Sequence, residues 1–357
     1  MSINKKTTTL VSAVLVSSAL LSGCGLFGGE EKKQIDPPQE VSYTDESTQS
    51  VTTEETTSET AANEEAGQES VMTELYLIDK DGYVVPQTFA LPSTAGVAKQ
   101  ALDYLVENGP LSEMLPNGFR AVLPADTSIS VDVKGGVAKV DFSKEFKNYQ
   151  PEDEMKILQS VTWTLTQFDS IQKVKFQMNG HELTEMPVNG TPISKEVSRA
   201  NGINMDTSEV VDITNTKPVT VYYLGGDESN YYYVPVTKRV SNNTADPVVA
   251  VVNELVKGPN YTSNLVSEFL PEVKLLENPK VENGKVTLNF NEAVYGSFEE
   301  KMISQHLLTS LVLSLTEQKG IESVAVMVDG DAEIVNENGE KVTEPVTRPE
   351  KVNTGSF

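Results

Sequence analysis

The chain has 357 residues, 38% of them hydrophobic, and a formal net charge of −24. Its 28 Lys and Arg residues against 52 Asp and Glu residues do not provide the basic footprint that phosphate binding needs, so we expect no nucleic-acid partner. The length is sufficient for two ordinary domains after an N-terminal segment.

The first 23 residues have the pattern of a lipoprotein signal peptide. Two lysines near the N-terminus precede an apolar run over residues 10–21, which is too short for a transmembrane span. Leu21-Ser22-Gly23-Cys24 follows directly and is typical of a bacterial lipobox. We therefore predict a signal peptide at 1–23 and lipidation of Cys24 by an N-acyl chain and an S-diacylglycerol group, which together hold firmly to a membrane. Cys24 is the only cysteine, so no disulfide forms within one molecule.

Residues 24–70 are predicted to be a disordered acidic tether. Residues 25–70 contain 12 acidic and 2 basic side chains among Ser, Thr and Gln, with almost no large apolar residues. Such a segment cannot bury enough apolar surface to offset the entropy lost on ordering.

The next region, residues 71–188, shows the periodicities of a first folded module. Alternating apolar residues indicate strands and apolar residues at helical spacing indicate helices. The predicted elements are strands at 75–78 and 83–89, a helix from about 97 to 105 capped by Ser93 or Thr94, strands at 129–133 and 138–142, a helix from about 151 to 169, and a strand at 174–178.

The same order returns in residues 217–336, the predicted second module. Its elements are strands at 219–224 and 231–237, a helix at 246–257, strands near 273–276 and at 285–290, a helix from about 299 to 318, and a strand at 321–328. Residues 189–216 lack sustained periodicity and are predicted to be a linker. Residues 337–357 are predicted to be a C-terminal tail, a hairpin remnant followed by a frayed end.

The two modules are an internal repeat with a spacing of about 148 residues. Gly109-Pro110 recurs as Gly258-Pro259, Leu123-Pro124 as Leu270-Pro271, and Leu75-Tyr76-Leu77 aligns with Tyr222-Tyr223-Leu224. One-sided alternation in the strands favours an α+β fold in which each β-β-α-β-β-α-β module has a mixed or antiparallel sheet with helices on one face.

The residues that could form a catalytic or metal-binding site do not recur in both modules. His181 and His306 fall at different places in the two modules, which disfavours a metal site. Ser143-Lys144 is replaced by Asn291-Glu292 in the second module, which disfavours a Ser-Lys hydrolase. Asp79, Asp81 and Gly82 lack the remaining ligands of a calcium loop and are predicted to form a turn. We therefore predict no enzyme activity and no catalytic, cofactor or metal site.

One local run is unusual, namely Tyr231-Tyr232-Tyr233. In a strand, successive side chains point to opposite faces, so at least one of these rings should be exposed. The run is a candidate contact surface, although packing within a strand explains it equally well.

The lipobox, the acidic tether and the two modules together resemble the family of sporulation and spore germination lipoproteins that carry GerMN domains. Without its first two strands, each module has the order α-β-β-α-β, which is similar to the ring-building motif of bacterial secretion and sporulation channels. The resemblance implies a structural role in a multiprotein assembly across the double membrane of the spore.

This resemblance leads to one functional expectation and one alternative. We expect a lipid-anchored scaffold or assembly factor on the outer side of the cell membrane, in the space between the mother cell and forespore membranes, with other envelope or channel proteins as partners. The alternative is a lipoprotein that binds or remodels peptidoglycan. An exposed aromatic groove would favour the alternative, whereas a contiguous edge strand or apolar patch would favour assembly.

Overall fold

The computed structural model describes residues 69–208, 214–227, 230–243, 246–295 and 301–354. The predicted signal peptide, Cys24 and nearly all of the tether lie outside the described residues. The described residues belong to one compact unit. Among them, no helix has both the length and the apolar character required to cross a membrane.

The first module contains two sheets. A hairpin of β1 (Ser70–Asp79) and β2 (Val84–Pro92) pairs with the short β3 (Phe119–Arg120) in the order β2-β1-β3. The second sheet is mixed, with order β4-β5-β6-β7 and a parallel pair at its centre. Its strands and the helices of the module are α1 (Val97–Asp103), β4 (Ile129–Lys134), β5 (Val137–Phe142), α2 (Glu154–Leu165), β6 (Lys173–Met178) and β7 (His181–Glu182).

The second module repeats this plan. A hairpin of β8 (Thr216–Asp227) and β9 (Asn230–Ser241) is separate from a mixed sheet of order β10-β11-β13-β16. A small sheet of order β12-β14-β15 lies beside it. The remaining elements are α3 (Pro247–Lys257), β10 (Lys280–Glu282), β11 (Lys285–Phe290), β12 (Met302–Ile303), α4 (Gln305–Thr316), β13 (Ser323–Val328), β14 (Ile334–Asn336), β15 (Lys341–Val342) and β16 (Val346–Thr347). The predicted α+β tandem repeat with mixed sheets is therefore confirmed.

The long helix of each module is buried between two layers. Strands β5 and β11 turn one apolar face toward it, so that Val140 and Leu288 are fully buried. The hairpin covers the opposite side of the helix: Ser160 on α2 donates to the carbonyl of Tyr76, and the Tyr76 amide donates to the Thr164 hydroxyl. Because both sides are covered, Ser160 and Thr164 of α2 serve as hydrogen-bonding positions rather than as a solvent face.

Several predicted boundaries were wrong. Helix α1 has Gly96 at its N-cap and no side-chain cap, so neither Ser93 nor Thr94 caps it, and it ends at Asp103. Residues 274–276 pair with the end of β11 through one isolated bridge, and the regular strand lies at 280–282; Pro279, which has no N–H to donate to a ladder, lies in the gap between them. Helix α4 begins at Gln305 after the N-cap Ser304. Glu299, the predicted start of that helix, lies outside the described residues.

The register of the repeat in the first hairpin also differs from the prediction by one residue. Tyr76 lies opposite Pro86 in its hairpin, and Tyr222 lies opposite Pro235. The Tyr222 amide donates to Ser314 on α4, as the Tyr76 amide donates to Thr164 on α2. Tyr76 therefore corresponds to Tyr222, and a one-residue slip would have placed each side chain on the wrong face of the strand.

Candidate functional site at the junction of the two modules

Each module ends in a segment that crosses to the hairpin of the other module. We call residues 197–204 strap 1 and residues 346–353 strap 2. In strap 1, the Ile203 amide donates to the Thr237 hydroxyl of β9 at 2.9 Å, and the Thr237 amide donates back to the Ile203 carbonyl at 2.9 Å. In strap 2, Val352 and Thr88 of β2 make the same pair of bonds at 2.8 and 3.1 Å. The modules therefore exchange their last segments.

An asparagine in each strap joins the outer edges of β2 and β9. The side-chain amide of Asn204 exchanges two hydrogen bonds with the backbone of Val84 at 2.9 and 2.8 Å and donates to the Pro235 carbonyl at 2.8 Å. Asn353 does the same with the backbone of Tyr233, at 2.8 and 2.9 Å, and with the Pro86 carbonyl at 2.8 Å. These two amide clamps cover strand edges that would otherwise present unpaired backbone groups.

The straps are themselves part of the repeat, which the sequence analysis missed. Val197-Ser198-Arg199 and Ile203-Asn204 recur as Val346-Thr347-Arg348 and Val352-Asn353, with a constant spacing of 149 residues. Val197 bridges Val174 in the first module as Val346 pairs with Val324 in the second. A comparison of residues at one fixed spacing, extended beyond the periodic segments, would have found this pattern.

The prediction of a frayed C-terminal end is therefore wrong for residues 346–353. Val352 and Asn353 are only 1% and 8% exposed. Likewise, the segment predicted to be a linker ends in strap 1, where Ile203 is fully buried. Neither segment has a helical or strand period, because both are ordered by contacts with a different module.

Two arginines and two glutamates form a buried charge cluster at the junction. Arg199 of strap 1 donates to both carboxylate oxygens of Glu317 at 2.9 Å. Arg348 of strap 2 bridges Glu317 at 3.2 Å and Glu74 of β1 at 3.3 Å. The Glu317 side chain is 8% exposed, and those of Arg199 and Arg348 are 27% and 25% exposed. The cluster is formally neutral and takes charges from both modules.

Aromatic rings line this cluster. The guanidinium of Arg199 lies 4.4 Å from the ring of Trp163, and that of Arg348 lies 5.7 Å from the ring of Tyr222. Such contacts are favourable because the ring face is electronegative. The Tyr222 hydroxyl also donates to Glu317 at 2.9 Å. Rings and carboxylates thus hold the arginines of both straps in place.

The electrostatics of the cluster favour its charged form. Burial alone would raise the pKa of Glu317, but Arg199 and Arg348 lower the pKa below the ordinary value for glutamate. Burial would lower the pKa of Arg199, whereas Glu317 raises it above the ordinary arginine value. Burial raises the pKa of Tyr222, with Glu317 as the next cause, so its hydroxyl stays protonated as a donor.

A second contact across the junction involves the predicted turn and the tyrosine run. The carboxylate of Asp79 is 4% exposed and accepts from the backbone amides of Asp81 and Tyr83, which confirms the turn. The Tyr232 hydroxyl of the other module donates to Asp79 at 2.9 Å, and burial raises the pKa of Asp79. Asn264 donates to Asp81 at 2.9 Å.

Tyr231 and Tyr232 belong to an extension of the second hairpin that has no equivalent in the first, whereas Tyr233 corresponds to Val84. Strand pairing continues through Gly225 with Tyr232 and Gly226 with Tyr231. Tyr231 is 36% exposed and Tyr232 is 3% exposed, so one ring is exposed as predicted. His306 lies against both Tyr231 and Tyr233, with ring centroids 5.6 and 6.1 Å apart.

The structure does not bring the other candidate residues together. His181 is exposed on β7 and lies in a different module from His306. The Ser143 hydroxyl accepts from the Ser128 amide, and Lys144 pairs with Glu145. Within the part of the chain that the structure describes, no group of three or more His, Cys, Asp or Glu side chains could hold a metal ion.

Comparison with known proteins gives the family. The family model described as Germane, sporulation and spore germination, matches residues 74–184 and 220–333. The chain belongs to this family. The matched ranges coincide with the two modules and leave out both straps.

Two relatives within the Germane family are similar over most of the chain. The spore germination protein GerM of Bacillus subtilis (strain 168) is 55% identical over 99% of this chain and 100% of its own length. The solved structure of the tandem GerMN domains of the sporulation protein GerM from Bacillus subtilis is 59% identical, covers 80% of this chain and 100% of that chain, and has a TM-score of 0.76.

Proposed function

We propose that this protein is a lipid-anchored scaffold in sporulation and spore germination that acts through contacts with other envelope proteins and not by catalysis. The observation that supports the proposal is the junction, where exchanged straps, two amide clamps and a buried charge cluster join the modules. A scaffold must present its surfaces in a fixed relation, and a junction ordered during folding reduces the entropy lost on binding a partner. The names of the related proteins support the sporulation and germination context.

The anchor and the tether set where the scaffold would act. Cys24 would hold the chain to the outer side of the cell membrane, between the mother cell and forespore membranes. A disordered tether over residues 25–70, as the sequence predicts, would have a root-mean-square reach of roughly 35–40 Å, and its charge would extend it further. The modules would then lie clear of the lipid headgroups, within reach of envelope or channel proteins.

The scaffold proposal is tested by recovery of partners from sporulating cells. We expect residues 69–357, used as bait, to recover a reproducible set of envelope or channel proteins. A bait with Arg348→Ala, which weakens the junction, should recover less of the same set. Recovery of muropeptides alone would contradict the scaffold and support the peptidoglycan-binding alternative.

The anchor is tested by a single substitution. Cys24→Ala removes the thiol that would carry the diacylglycerol, so we expect the protein to leave the membrane fraction. Ser18→Ala, within the apolar run of the signal peptide, is the matched control and should leave fractionation unchanged. Full membrane retention of the Cys24→Ala protein would refute lipidation at this residue.

A further inference from the structure

The edge strand β10 of the second module offers one unpaired position to a partner strand. It is the last strand at one side of its mixed sheet. It joins β11 through the two-residue turn Asn283-Gly284, in which both residues have positive φ, so Glu282 and Lys285 form the hydrogen-bonded pair beside the turn. The backbone N–H and C=O of Val281 therefore point away from β11, and among the described residues no backbone group is bonded to them.

Apolar side chains beside this edge are exposed. Val281 pairs with the fully buried Val286 and so points to the helix side of the sheet, yet it is 52% exposed. Leu276, which is 50% exposed, lines a groove of about 700 Å³. Helix α3 forms one wall of the groove, so the groove lies on the same side of the sheet as Val281. An unpaired strand edge flanked by exposed apolar residues is a site at which another strand can add.

The charges on β10 select the strand that can pair with it. Lys280 and Glu282 flank Val281 and point to the opposite, solvent face of the sheet. If β10 pairs antiparallel with β10 of a second copy and the two Val281 residues lie opposite each other, each Lys280 faces Glu282 of the other copy. Centring the pair on Lys280 or on Glu282 instead would place like charges opposite each other, which is unfavourable. The register centred on Val281 also lets each Val281 N–H donate to the Val281 C=O of the other copy.

The first module carries the reverse order of charges at its equivalent edge. Asp132-Val133-Lys134 on β4 stands where β10 has Lys280-Val281-Glu282, and in each module the valine lies opposite a fully buried residue of the neighbouring strand. Antiparallel pairing of β10 with β4 of another copy would therefore place acid opposite acid and lysine opposite lysine. The charges thus favour pairing of two second modules over pairing of a second module with a first.

We propose that two copies of this protein form a symmetric dimer by antiparallel pairing of their β10 strands, centred on Val281. Directly opposed residues point to the same face, so the α3 helices of both copies lie on one side of the joined sheet. The contact uses the same edge in both copies and leaves none of it open, so it gives dimers and not fibres. Pro279 has no N–H to donate, which limits the pairing to residues 280–282.

The dimer contact is independent of the scaffold function and is expected to be weak. A standard interface has roughly 20–30 residues a side, far more than β10 supplies. Within one copy, Lys280 contacts Glu277 at 3.3 Å, but this exposed pair contributes little and leaves Lys280 available. The net negative charge of each copy opposes association. At physiological salt that repulsion is screened beyond about 8 Å, whereas side chains opposed across two strands are roughly 5 Å apart.

The test is an exchange of charges on β10 in residues 69–357. The solved tandem-domain structure of the relative covers 80% of this chain, which shows that this part of the protein folds without the N-terminal segment. Sedimentation equilibrium at physiological salt, at concentrations up to about 1 mM, the order that tethering produces, should show a monomer–dimer equilibrium.

Two single variants and their mixture identify the contact. Lys280→Glu and Glu282→Lys each place like charges opposite each other, so either variant alone should associate about tenfold more weakly than the wild type. An equimolar mixture restores both pairs of opposite charge, so heterodimers should form with nearly the wild-type affinity. A general effect of net charge predicts otherwise, because Glu282→Lys makes the chain less negative and would then associate more strongly.

The matched control is Lys134→Glu, which makes the equivalent change on β4 and should leave association unchanged. The dimer proposal is overturned if the wild type stays monomeric at the highest concentration, if Lys134→Glu weakens association as Lys280→Glu does, or if the mixture associates no better than either variant alone. These outcomes are independent of partner recovery from sporulating cells. A protein that dimerises but recovers no envelope protein would refute the scaffold function and leave the dimer contact intact.

Discussion

The two modules share a fold and a way of joining, yet they contribute unequally to the charges at their junction. Arg199 and Arg348 occupy equivalent positions in the straps, and Asn204 and Asn353 are equivalent clamps. The acid is not duplicated, because Glu317 at the C-cap of α4 corresponds to Gln167 just after the end of α2. Both arginines therefore converge on one carboxylate, and Glu74 balances the second charge.

The difference between Gln167 and Glu317 explains how the two modules are joined into one compact unit. Gln167 forms hydrogen bonds with the backbone of Glu74, accepting from its amide at 2.8 Å and donating to its carbonyl at 2.6 Å. It thereby holds Glu74 within reach of Arg348. The first module positions an acid on its hairpin, and the second module supplies one from its helix. The junction is therefore specific to two different copies, which favours pairing of a first module with a second module over pairing of two like modules.

The largest expected effect comes from removing an arginine that serves both acids. Arg348→Ala leaves Glu317 with Arg199 alone and leaves Glu74 without its cation. Breaking a buried pair in this way costs about 3–5 kcal/mol. We expect the free energy of unfolding, measured in urea on residues 69–357, to fall by that amount.

The matched control for Arg348→Ala is Lys341→Ala. Lys341 pairs with Glu333, and their side chains are 66% and 72% exposed. Exposed pairs contribute about 0–1 kcal/mol, so this variant should unfold almost as the wild type does. Equal losses for the two variants would mean that the charge cluster does not hold the modules together.

A smaller effect is expected when the second module is made to resemble the first. Glu317→Gln leaves Arg348 paired with Glu74 but removes the acid of Arg199, with an expected loss of about 2–3 kcal/mol near neutral pH. Because the folded pKa of Glu317 is below 4.5, its contribution is present above pH 4.5 and is lost as the pH falls through the folded pKa.

The pH dependence gives the Glu317→Gln experiment a second readout. Urea unfolding of wild type and variant should be compared between pH 7 and pH 3. The difference between them should shrink as the pH falls, because protonated glutamate and glutamine are then similar. A difference that stays constant across this range would show that the charge of Glu317 does not stabilise the junction.

The smallest of these effects concerns the amide clamps. Asn353→Ala removes three hydrogen bonds and leaves the Tyr233 amide and the Pro86 carbonyl without their partner. Unsatisfied buried groups cost about 1–3 kcal/mol, so we expect a loss of about 2 kcal/mol. Asn204→Ala should cost less, because Asn204 is only partly buried whereas Asn353 is 8% exposed. A larger loss for Asn204→Ala in urea unfolding would contradict this ranking.

The modules could be predicted from the sequence because their elements have strong local periods. Val140, Leu288 and their neighbours alternate in strands, and the apolar stripe of α2 repeats in α4. These signals depend on residues that are close in the chain. The boundaries that were wrong, such as the start of α4 and the strand at 280–282, lie next to a cap residue and a proline.

The junction could not be predicted in the same way. Arg348 contacts Glu74 across a separation of 274 residues, and no local period marks either residue. The straps have the composition of loops, so they were interpreted as a linker and a frayed tail. Only the recurrence of arginine and asparagine at 199 and 204, and again at 348 and 353, marked them as one repeated feature.

The central claim is that the two modules form one rigid body, and the distance between their mixed sheets tests it most directly. Cys24 is the only cysteine in the chain, so residues 69–357 can carry spin labels at Lys139→Cys on β5 and Lys285→Cys on β11 without background labelling. Pulsed electron–electron double resonance should give a single narrow distance distribution, which broadens when Arg348→Ala is added. A broad distribution in the protein with an intact junction would contradict the claim.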